Sequence, residues 1–188
     1  MKESHPTALI VFTCLIMTIT LFSGKMEKRD NVNASKQSAA GSNIMEVSDA
    51  EFNEIVMLVL AEAANQPHEG KVAVAATVLN RFKENFENSI HEVIWAEGQF
   101  SCCYNGYFCN DISKPLTFSD FNEDVKKDAM RAVEEALEGE DPTSEVLGGG
   151  CLFFYNPRTI TPEQAKLREN IKVKYQIGDH IFYRIWDN

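Results

Sequence analysis

Residues 48–82 read SDAEFNEIVMLVLAEAANQPHEGKVAVAATVLNRF, and this stretch decides the fold. Ser48, followed three positions later by Glu51, forms a capping box, so the pattern predicts a helix from Ser48 to about Asn65. Pro67 can open a second helix, because the apolar residues after it recur every three or four positions to the end of the stretch. We expect these two helices to pack together.

The chain beyond the two helices carries weaker patterns. Ile90–Trp95 is a short apolar segment, and Gly98–Asn110, which is rich in aromatic and small polar residues, is predicted to be a loop that carries a site. Asp120 with Glu123 can cap a third helix, whose buried stripe continues until Gly139 ends it.

The C-terminal part has the pattern of strands. Cys151–Tyr155 is a compact apolar and aromatic run, and Lys172–Ile177 and His180–Ile185 flank the turn residues Gly178-Asp179. These patterns predict a small antiparallel sheet with a hairpin near the C-terminus. Helices first and strands later indicate an α+β domain.

Length and composition set the class of the protein. The 188 residues are 44% hydrophobic and 24% charged, which suits one domain with a packed core, or a smaller domain with a tail. The formal net charge is −10, and the residues after position 30 are more acidic still. Because phosphate backbones attract basic proteins, this charge argues against nucleic acid as a partner.

The N-terminus carries an apolar segment, Ala8–Phe22, without charged residues. Its length lies between that of a signal-peptide core and that of a membrane-spanning helix, so a cleaved signal and a retained anchor both remain open. Lys25–Asn43 contains no Leu, Ile or aromatic residue and is predicted to be a flexible tether. The chain is therefore divided into an export segment (1–24), a linker (25–43) and one domain (44–188).

Four cysteines lie in the domain: Cys102, Cys103, Cys109 and Cys151. In an exported domain they could form two disulfides, with three connectivities open. Their spacing lacks the paired C-x-x-C of a zinc site, so no metal and no cofactor are predicted.

One carboxylate, Glu62, stands at the edge of the first helix's apolar stripe, among small alanines. A carboxyl group that loses hydration at a cleft floor has its charged form disfavoured and can hold a proton as a general acid. Periodicity alone, however, favours an ordinary solvated Glu at a helix edge.

The residues around Glu62 change that balance. Ala61–Arg81 closely resembles the signature of SleB-like cell wall hydrolases, which include the spore-cortex-lytic enzymes, and the resemblance extends from about Ile55 to Tyr183. Shorter matching blocks follow in the family's order: Gly98–Ser101, Asn105-Gly106, Phe153–Pro157 and Ile177–Tyr183.

This resemblance implies a peptidoglycan glycosidase with a lysozyme-like, lytic-transglycosylase-like α+β fold. The family's catalytic Glu, the first of its A-E-A motif, corresponds to Glu62. A lytic transglycosylase needs no second carboxylate, because the C6 hydroxyl of muramic acid attacks the anomeric carbon and leaves a 1,6-anhydro end. A single Glu then acts first as acid and later as base.

The resemblance also implies a set of residues that line the glycan groove: Gln66, Ser101, Tyr155, Asn156 and His180. Two departures from the family pattern bear on this set. The usual A-R-G-E-P is replaced by a sequence ending in Gln66-Pro67, so a carboxylate becomes an amide. A tryptophan expected between Arg158 and Asn170 is absent.

Other interpretations stay open. These departures would suit a peptidoglycan-binding module without turnover, and a muramidase-type hydrolase or a phage lysin would use the same site. A Cys/His amidase would use Cys102, Cys103 or Cys109 with His180. For the leading interpretation we expect a monomer exported to the periplasm or cell envelope, acting on peptidoglycan strands and meeting the membrane only through its N-terminal segment.

Overall fold

The computed structural model describes residues 44–111 and 114–184. The elements in chain order are α1 (Asp49–Ala63), α2 (His68–Lys83), α3 (Ile90–Trp95), β1 (Cys103–Tyr104), β2 (Tyr107–Asp111), β3 (Lys114–Pro115), α4 (Glu123–Leu137), α5 (Ser144–Leu147), β4 (Phe153–Tyr155), α6 (Pro162–Leu167), β5 (Lys174–Ile177) and β6 (His180–Tyr183). The helices α5 and α6 were not predicted, since each is only one or two turns long.

The first two helices begin as the sequence predicts. The Ser48 hydroxyl accepts a hydrogen bond from the backbone N–H of Glu51, and the Glu51 carboxylate accepts one from the N–H of Ser48, which completes the capping box. The helix ends at Ala63, slightly before the predicted end. Pro67 then serves as the N-cap of α2, and a proline disfavours helical backbone in the residue before it.

The core lies where α1, α2 and α4 pack against one another. Alanines at the contacts let the helix axes approach closely, and α2 is buried from Gly70 to Arg81. Side chains with no solvent exposure occur on all three helices: Ile55, Leu58, Val59, Ala63, Ala73, Val74, Ala75, Val78, Ala129, Ala132 and Val133. The predicted packing of the first two helices is confirmed.

The start of α4 differs from the prediction. Asn122 is the N-cap, and its side-chain oxygen accepts a hydrogen bond of 2.9 Å from the N–H of Val125. Asp120 instead caps a short 3-10 turn by accepting hydrogen bonds from the backbone N–H and the hydroxyl of Thr117. The sequence offers several capping residues in a row, and spacing alone selected the wrong one.

The segment predicted as a loop, Gly98–Asn110, contains most of a β-hairpin. β1 and β2 pair antiparallel, and the connecting residues Asn105 and Gly106 both have positive φ, 48° and 81°. An Asn-Gly pair at such a turn is a strong hairpin signal that the sequence already contained. β3 pairs with the other edge of β2, giving the order β1-β2-β3.

The C-terminal sheet has the order β4-β6-β5, with all neighbours antiparallel. Ile177 pairs with His180 across the turn Gly178-Asp179, so the predicted hairpin is confirmed, although β5 begins at Lys174 and not at Lys172. Phe182 at the centre of β6 is completely buried against the helices. Ile177 and Phe182 join this sheet to the hydrophobic core.

No helix within the described residues, 44–111 and 114–184, is long and apolar enough to cross a membrane. The apolar segment Ala8–Phe22 and the tether Lys25–Asn43 lie outside those residues, so their predicted roles stay predictions.

Candidate active site

Glu62 lies in the last turn of α1 and is half-buried. Its Oε1 accepts a hydrogen bond of 3.2 Å from the backbone N–H of Cys102 and a longer one of 3.4 Å from the hydroxyl of Ser101. Among the described residues, no hydrogen bond reaches Oε2. The two carboxylate oxygens are therefore unequal: one is fixed by the protein and the other is left for a ligand.

A buried aromatic residue fixes the loop that supplies these two donors. Phe100 is only 4% exposed, and its ring lies 4.7 Å from the guanidinium carbon of Arg81 and 6.2 Å from the ring of Phe154. Because Phe100 directly precedes Ser101, its packing against α2 and β4 sets the position of both donors to Glu62.

The thiol of Cys102 lies beside this carboxylate, and the sulfur of Cys103 is 3.9 Å from that of Cys102. A hydrogen bond with Cys103, burial and the charge of Glu62 all raise the pKa of the Cys102 thiol. A nucleophilic cysteine needs the opposite shift, since the thiolate is the reactive form. Cys102 therefore fits a structural role, which argues against Cys102 as the nucleophile of a Cys/His amidase.

The structure differs from the predicted disulfides. Cys102, Cys103 and Cys151 are present as thiols, so no disulfide joins any two of these three. Cys151 is fully buried against α2, where its Sγ lies 3.1 Å from the hydroxyl of Thr77 and donates to the carbonyl of Ala73 at 3.5 Å. Burial raises its pKa to about 12, so this sulfur behaves as a small core group.

Gln66, predicted to bind substrate, is instead a buried structural residue with 6% exposure. Its amide oxygen accepts a hydrogen bond of 2.9 Å from the N–H of Asp179, and its amide nitrogen donates to Asn65 at 3.0 Å. Both halves of the amide are occupied. The side chain thereby fastens the α1–α2 turn to the β5–β6 turn, and an amide oxygen accepts the bond as a carboxylate would.

A network of charged residues also holds the α1–α2 turn in place. The buried Lys71 donates to the carbonyl of Gln66 at 2.7 Å and forms an ion pair with Asp128 at 3.0 Å. The ring nitrogens of His68, on α2, contact two residues of α4: Asp128 at 2.7 Å and Glu135 at 2.8 Å. The position of the turn after Glu62 is thus set by α4 as well as by the hairpin.

His180 does not line a groove either. It is 4% exposed, and its ring packs 5.1 Å from Phe154 and 6.0 Å from Phe182, centroid to centroid. Burial lowers its pKa, which favours the neutral ring, although the charge of Asp179 opposes this shift. The pattern placed His180 correctly after the turn but could not show that its side chain points into the core.

Tyr155 and Asn156 lie at the end of β4 and are both half-buried. The Asn156 side-chain oxygen accepts a hydrogen bond of 2.9 Å from the N–H of Arg158, so it also shapes the following turn. The strand reaches the Glu62 loop through Phe154, which contacts Phe100. Of the predicted residues, therefore, Ser101 touches Glu62, and Tyr155 and Asn156 lie on a neighbouring element.

Two contributors escaped the sequence analysis. The backbone N–H of Cys102 carries no side-chain signal, so only the fold reveals it. Arg168 comes from the segment that lacks the expected tryptophan, and its guanidinium lies 5.2 Å from the ring centroid of Tyr155. Arg168 also contacts Tyr183. Burial raises the pKa of Tyr183, and this arginine offsets part of that rise.

In the described residues, no group of three His, Cys, Asp or Glu is arranged to hold a metal ion.

Relatives of this chain are known. It is 33% identical over 138 residues to the spore cortex-lytic enzyme of Halalkalibacterium halodurans, covering 72% of this chain and 35% of that protein. It is 32% identical over 151 residues to the spore cortex-lytic enzyme of Bacillus subtilis, covering 79% and 43%. The chain thus spans less than half the length of these curated relatives.

A solved structure is similar over nearly its whole length. The catalytic domain of the germination-specific lytic transglycosylase SleB from Bacillus anthracis superposes with a TM-score of 0.52 at 29% identity, covering 73% of this chain and 97% of that one. The predicted lysozyme-like α+β class is confirmed by this match. Residues 65–183 match the family described as cell wall hydrolase, and since they make up more than half of the sequence, the chain belongs to the cell wall hydrolase family.

Proposed function

We propose that this protein is a lytic transglycosylase that cuts the glycosidic bond between N-acetylmuramic acid and N-acetylglucosamine in peptidoglycan, with Glu62 as its single acid and base. The observation that carries the proposal is the unequal treatment of the Glu62 oxygens. Oε1 accepts two hydrogen bonds, from Cys102 and Ser101. An oxygen that accepts from N–H and O–H groups is a poor place for a proton, so Oε2 is the oxygen that carries the proton in the acid step.

In the first step, Oε2 donates its proton to the glycosidic oxygen as the bond from that oxygen to the anomeric carbon breaks. The departing sugar leaves as an alcohol, and Glu62 becomes a carboxylate. The donors on Oε1 favour this charge, because hydrogen bonds to a charged acceptor are stronger than those to a neutral one. The same two groups therefore assist the proton transfer.

In the second step, the Glu62 carboxylate removes the proton from the C6 hydroxyl of the muramic acid, and the C6 oxygen bonds to the anomeric carbon. The product is a 1,6-anhydro end, and Glu62 regains its proton. One carboxyl group performs both transfers and water takes no part.

The position of Gln66 supports this mechanism over hydrolysis. Hydrolysis by two carboxyl groups needs a second acid to activate water or to form a covalent intermediate. At the position where the family pattern has a carboxylate, this chain has a buried amide whose oxygen and nitrogen are already hydrogen-bonded. An amide cannot take up the proton that such a base must remove. The substitution also gives no reason to expect a binding module, because Gln66 serves the fold.

The test is the mass of the products after purified peptidoglycan is digested. Anhydro ends lack one water relative to reducing ends, and we expect anhydro ends. Reducing ends would mean a muramidase-type hydrolase, and sedimentation with the wall without cleavage would mean a binding module.

The matched variants are Glu62→Gln and Glu54→Gln, both on α1. Glu62→Gln cannot donate the proton, so we expect a loss of about 10³-fold in cleavage rate. Glu54 accepts hydrogen bonds from His91 and Trp95 and should be dispensable for the chemistry. Normal cleavage by Glu62→Gln would reject the assignment of Glu62.

We also propose that the enzyme is exported and works as a monomer in the periplasm or cell envelope, directed there by Ala8–Phe22. The family's substrate supports this location, because peptidoglycan lies outside the cytoplasm. The mass of the N-terminal peptide from cell fractions distinguishes a cleaved signal from a retained anchor.

A further inference from the structure

Two neighbouring thiols near Glu62 take no part in the proposed reaction. The sulfurs of Cys102 and Cys103 lie 3.9 Å apart, where the chain enters β1. Cys102 is 5% exposed and Cys103 is half-buried, so a reagent in solution meets Cys103 first. One thiol of the pair is thus partly open to solvent, and its neighbour is nearly closed off.

The spacing of the two sulfurs favours a bridging atom over a direct bond between them. Consecutive Cα atoms are about 3.8 Å apart, whereas disulfides usually join Cα atoms about 4.4–6.8 Å apart, so a disulfide between neighbours is strained. Two sulfurs bound to one atom at about 2.3 Å, with a tetrahedral angle, stand about 3.8 Å apart. The observed 3.9 Å is close to that separation. The pair is therefore spaced to hold one soft atom between its sulfurs.

The surroundings of the pair restrict the identity of that atom. A hydrogen bond with Cys103, burial and the negative charge of Glu62 raise the pKa of the Cys102 thiol, so it keeps its proton at neutral pH. A metal ion must displace thiol protons, and in the part of the chain that the structure describes no third His, Cys, Asp or Glu completes a metal-binding group. Trivalent arsenic needs no third protein ligand and no free thiolate, because the two thiol protons leave with its oxygen as water.

We propose that Cys102 and Cys103 form a binding site for trivalent arsenicals. The Cys103 sulfur first bonds to the arsenic of R–As=O, and its proton passes to the oxygen, which becomes a hydroxyl on arsenic. The Cys102 sulfur then bonds to the same arsenic, and its proton leaves with the hydroxyl as water. Two S–H bonds and the As=O bond are replaced by two As–S bonds and one water molecule. Arsenic stays trivalent throughout, so the step consumes no oxidant.

The bridge acts on Glu62 through Cys102. The backbone N–H of Cys102 donates to Glu62 Oε1 at 3.2 Å, and a ring that includes both cysteines changes the backbone at this donor. A displacement of about 1 Å near reacting groups can cost about 10²-fold in rate. We expect a loss of that order in peptidoglycan cleavage. This consequence rests on the proposed function, whereas the binding of the arsenical does not.

The test uses phenylarsine oxide and the full chain, with intact mass as the readout. We expect one adduct per chain, heavier by one phenylarsine oxide less one water. An excess of a dithiol should release it and an excess of a monothiol should not, because only the dithiol offers a second bond within the same molecule. Chymotrypsin cleavage of the denatured adduct after Phe100 and Tyr104 isolates residues 101–104, and the arsenic should stay on that peptide.

Two variants sharpen the test. Cys103→Ser should lower the affinity for phenylarsine oxide by about 10²-fold, because the second bond no longer forms within the chain. Cys151→Ala is the matched control and should bind normally, since Cys151 is fully buried against α2. If Cys103→Ser does not fold, the peptide mass from the unmodified protein decides the matter without it.

Three results overturn the site. They are an adduct that a monothiol removes, an adduct of undiminished affinity in Cys103→Ser, and arsenic that links residues 101–104 to a peptide containing Cys109. A stable adduct on residues 101–104 that leaves cleavage unchanged supports the site and overturns its link to Glu62. A protein that binds the arsenical but never cleaves peptidoglycan also supports the site, and contradicts the proposed function instead.

Discussion

The first sheet, β1-β2-β3, is built from strands of two, five and two residues, whereas the second, β4-β6-β5, has strands of three and four residues. The second sheet presents a fully buried Phe182 to the helices, and rings of Phe154, His180 and Phe182 pack on one another. In the first sheet, Tyr104 beside the turn is 40% exposed. The first sheet is represented in the hydrophobic core by Phe108 and the second by Ile177 and Phe182, so the second contributes more.

Their relation to Glu62 is the reverse. The segment leading into the first sheet donates directly to the carboxylate from Ser101 and Cys102. The second sheet reaches the same region through packing and through a single hydrogen bond from Asp179 to Gln66. The comparison indicates that the second sheet holds the scaffold and that the entry to the first sheet tunes the reacting group. Substitutions in the two regions should therefore separate stability from activity.

The largest expected effect is on stability, at the turn of the second sheet. Gly178 has φ +58°, and a Cβ there would lie 2.4 Å from the Gln66 amide oxygen and 2.8 Å from Pro67 Cδ. Gly178→Ala therefore combines backbone strain with overlap against a buried side chain and a rigid ring. We expect a loss of about 3 kcal/mol in the free energy of unfolding, measured by urea denaturation.

Gly106→Ala, in the turn of the first sheet, is the matched control. Its φ is +81°, but a Cβ there would meet nothing within 4 Å. Only the backbone strain remains, and we expect a loss of about 1 kcal/mol in the free energy of unfolding. Equal losses for the two variants would contradict the claim that the second turn is clamped by Gln66.

A smaller, pH-dependent effect on stability should come from the charged network of Lys71, His68 and Asp128 beside Gln66. Burial tends to raise the pKa of Asp128, but hydrogen bonds and charges from Lys71 and His68 outweigh it and hold the pKa below 3.8. A pKa lowered by folding stabilises the native state above the unfolded pKa of about 3.9, and this contribution is lost as the pH falls through the folded value.

Asp128→Asn should therefore cost about 2 kcal/mol at neutral pH, since it leaves the buried Lys71 without its charge partner. The difference from the unmodified protein should begin to shrink below about pH 4, where the aspartate of the unfolded chain takes up a proton, and should disappear below the lower pKa of the folded state. Thermal unfolding between pH 3 and pH 7 measures this. Glu134→Gln, an exposed change on the same helix, is the control, and a constant difference across that range would count against the network.

The sequence predicted the elements whose signals are local. The capping box at Ser48, the apolar spacing of α1 and α2, and the turn at Gly178-Asp179 depend on neighbours along the chain, and all three are confirmed. The hairpin at Asn105-Gly106 was missed although its signal is also local, because the aromatic and polar residues around it resemble a loop.

The site was harder to predict because its decisive contacts join distant residues. Gln66 replaces a family residue and His180 matches one. The burial of Gln66 follows from a partner 113 residues away, and that of His180 from the packing of β4 and β6. Resemblance can indicate that a position matters without showing which way its side chain points. The backbone donor at Cys102 illustrates the limit, since every residue except proline carries the same N–H group.

The smallest expected effect concerns this division between side-chain and backbone donors. Ser101→Ala removes the hydroxyl that lies 3.4 Å from Glu62 Oε1, but it leaves the 3.2 Å backbone bond from Cys102 intact. A hydroxyl hydrogen bond of that length is weak. We therefore expect a loss of only about threefold in cleavage rate, which is less than 1 kcal/mol, and no change in the melting temperature, because Ser101 is exposed. Initial rates on purified peptidoglycan, with Ser101→Thr as the variant that retains a hydroxyl, measure this. A loss in Ser101→Ala as large as that of Glu62→Gln would show that the side chain, and not the loop backbone, sets the state of the carboxylate.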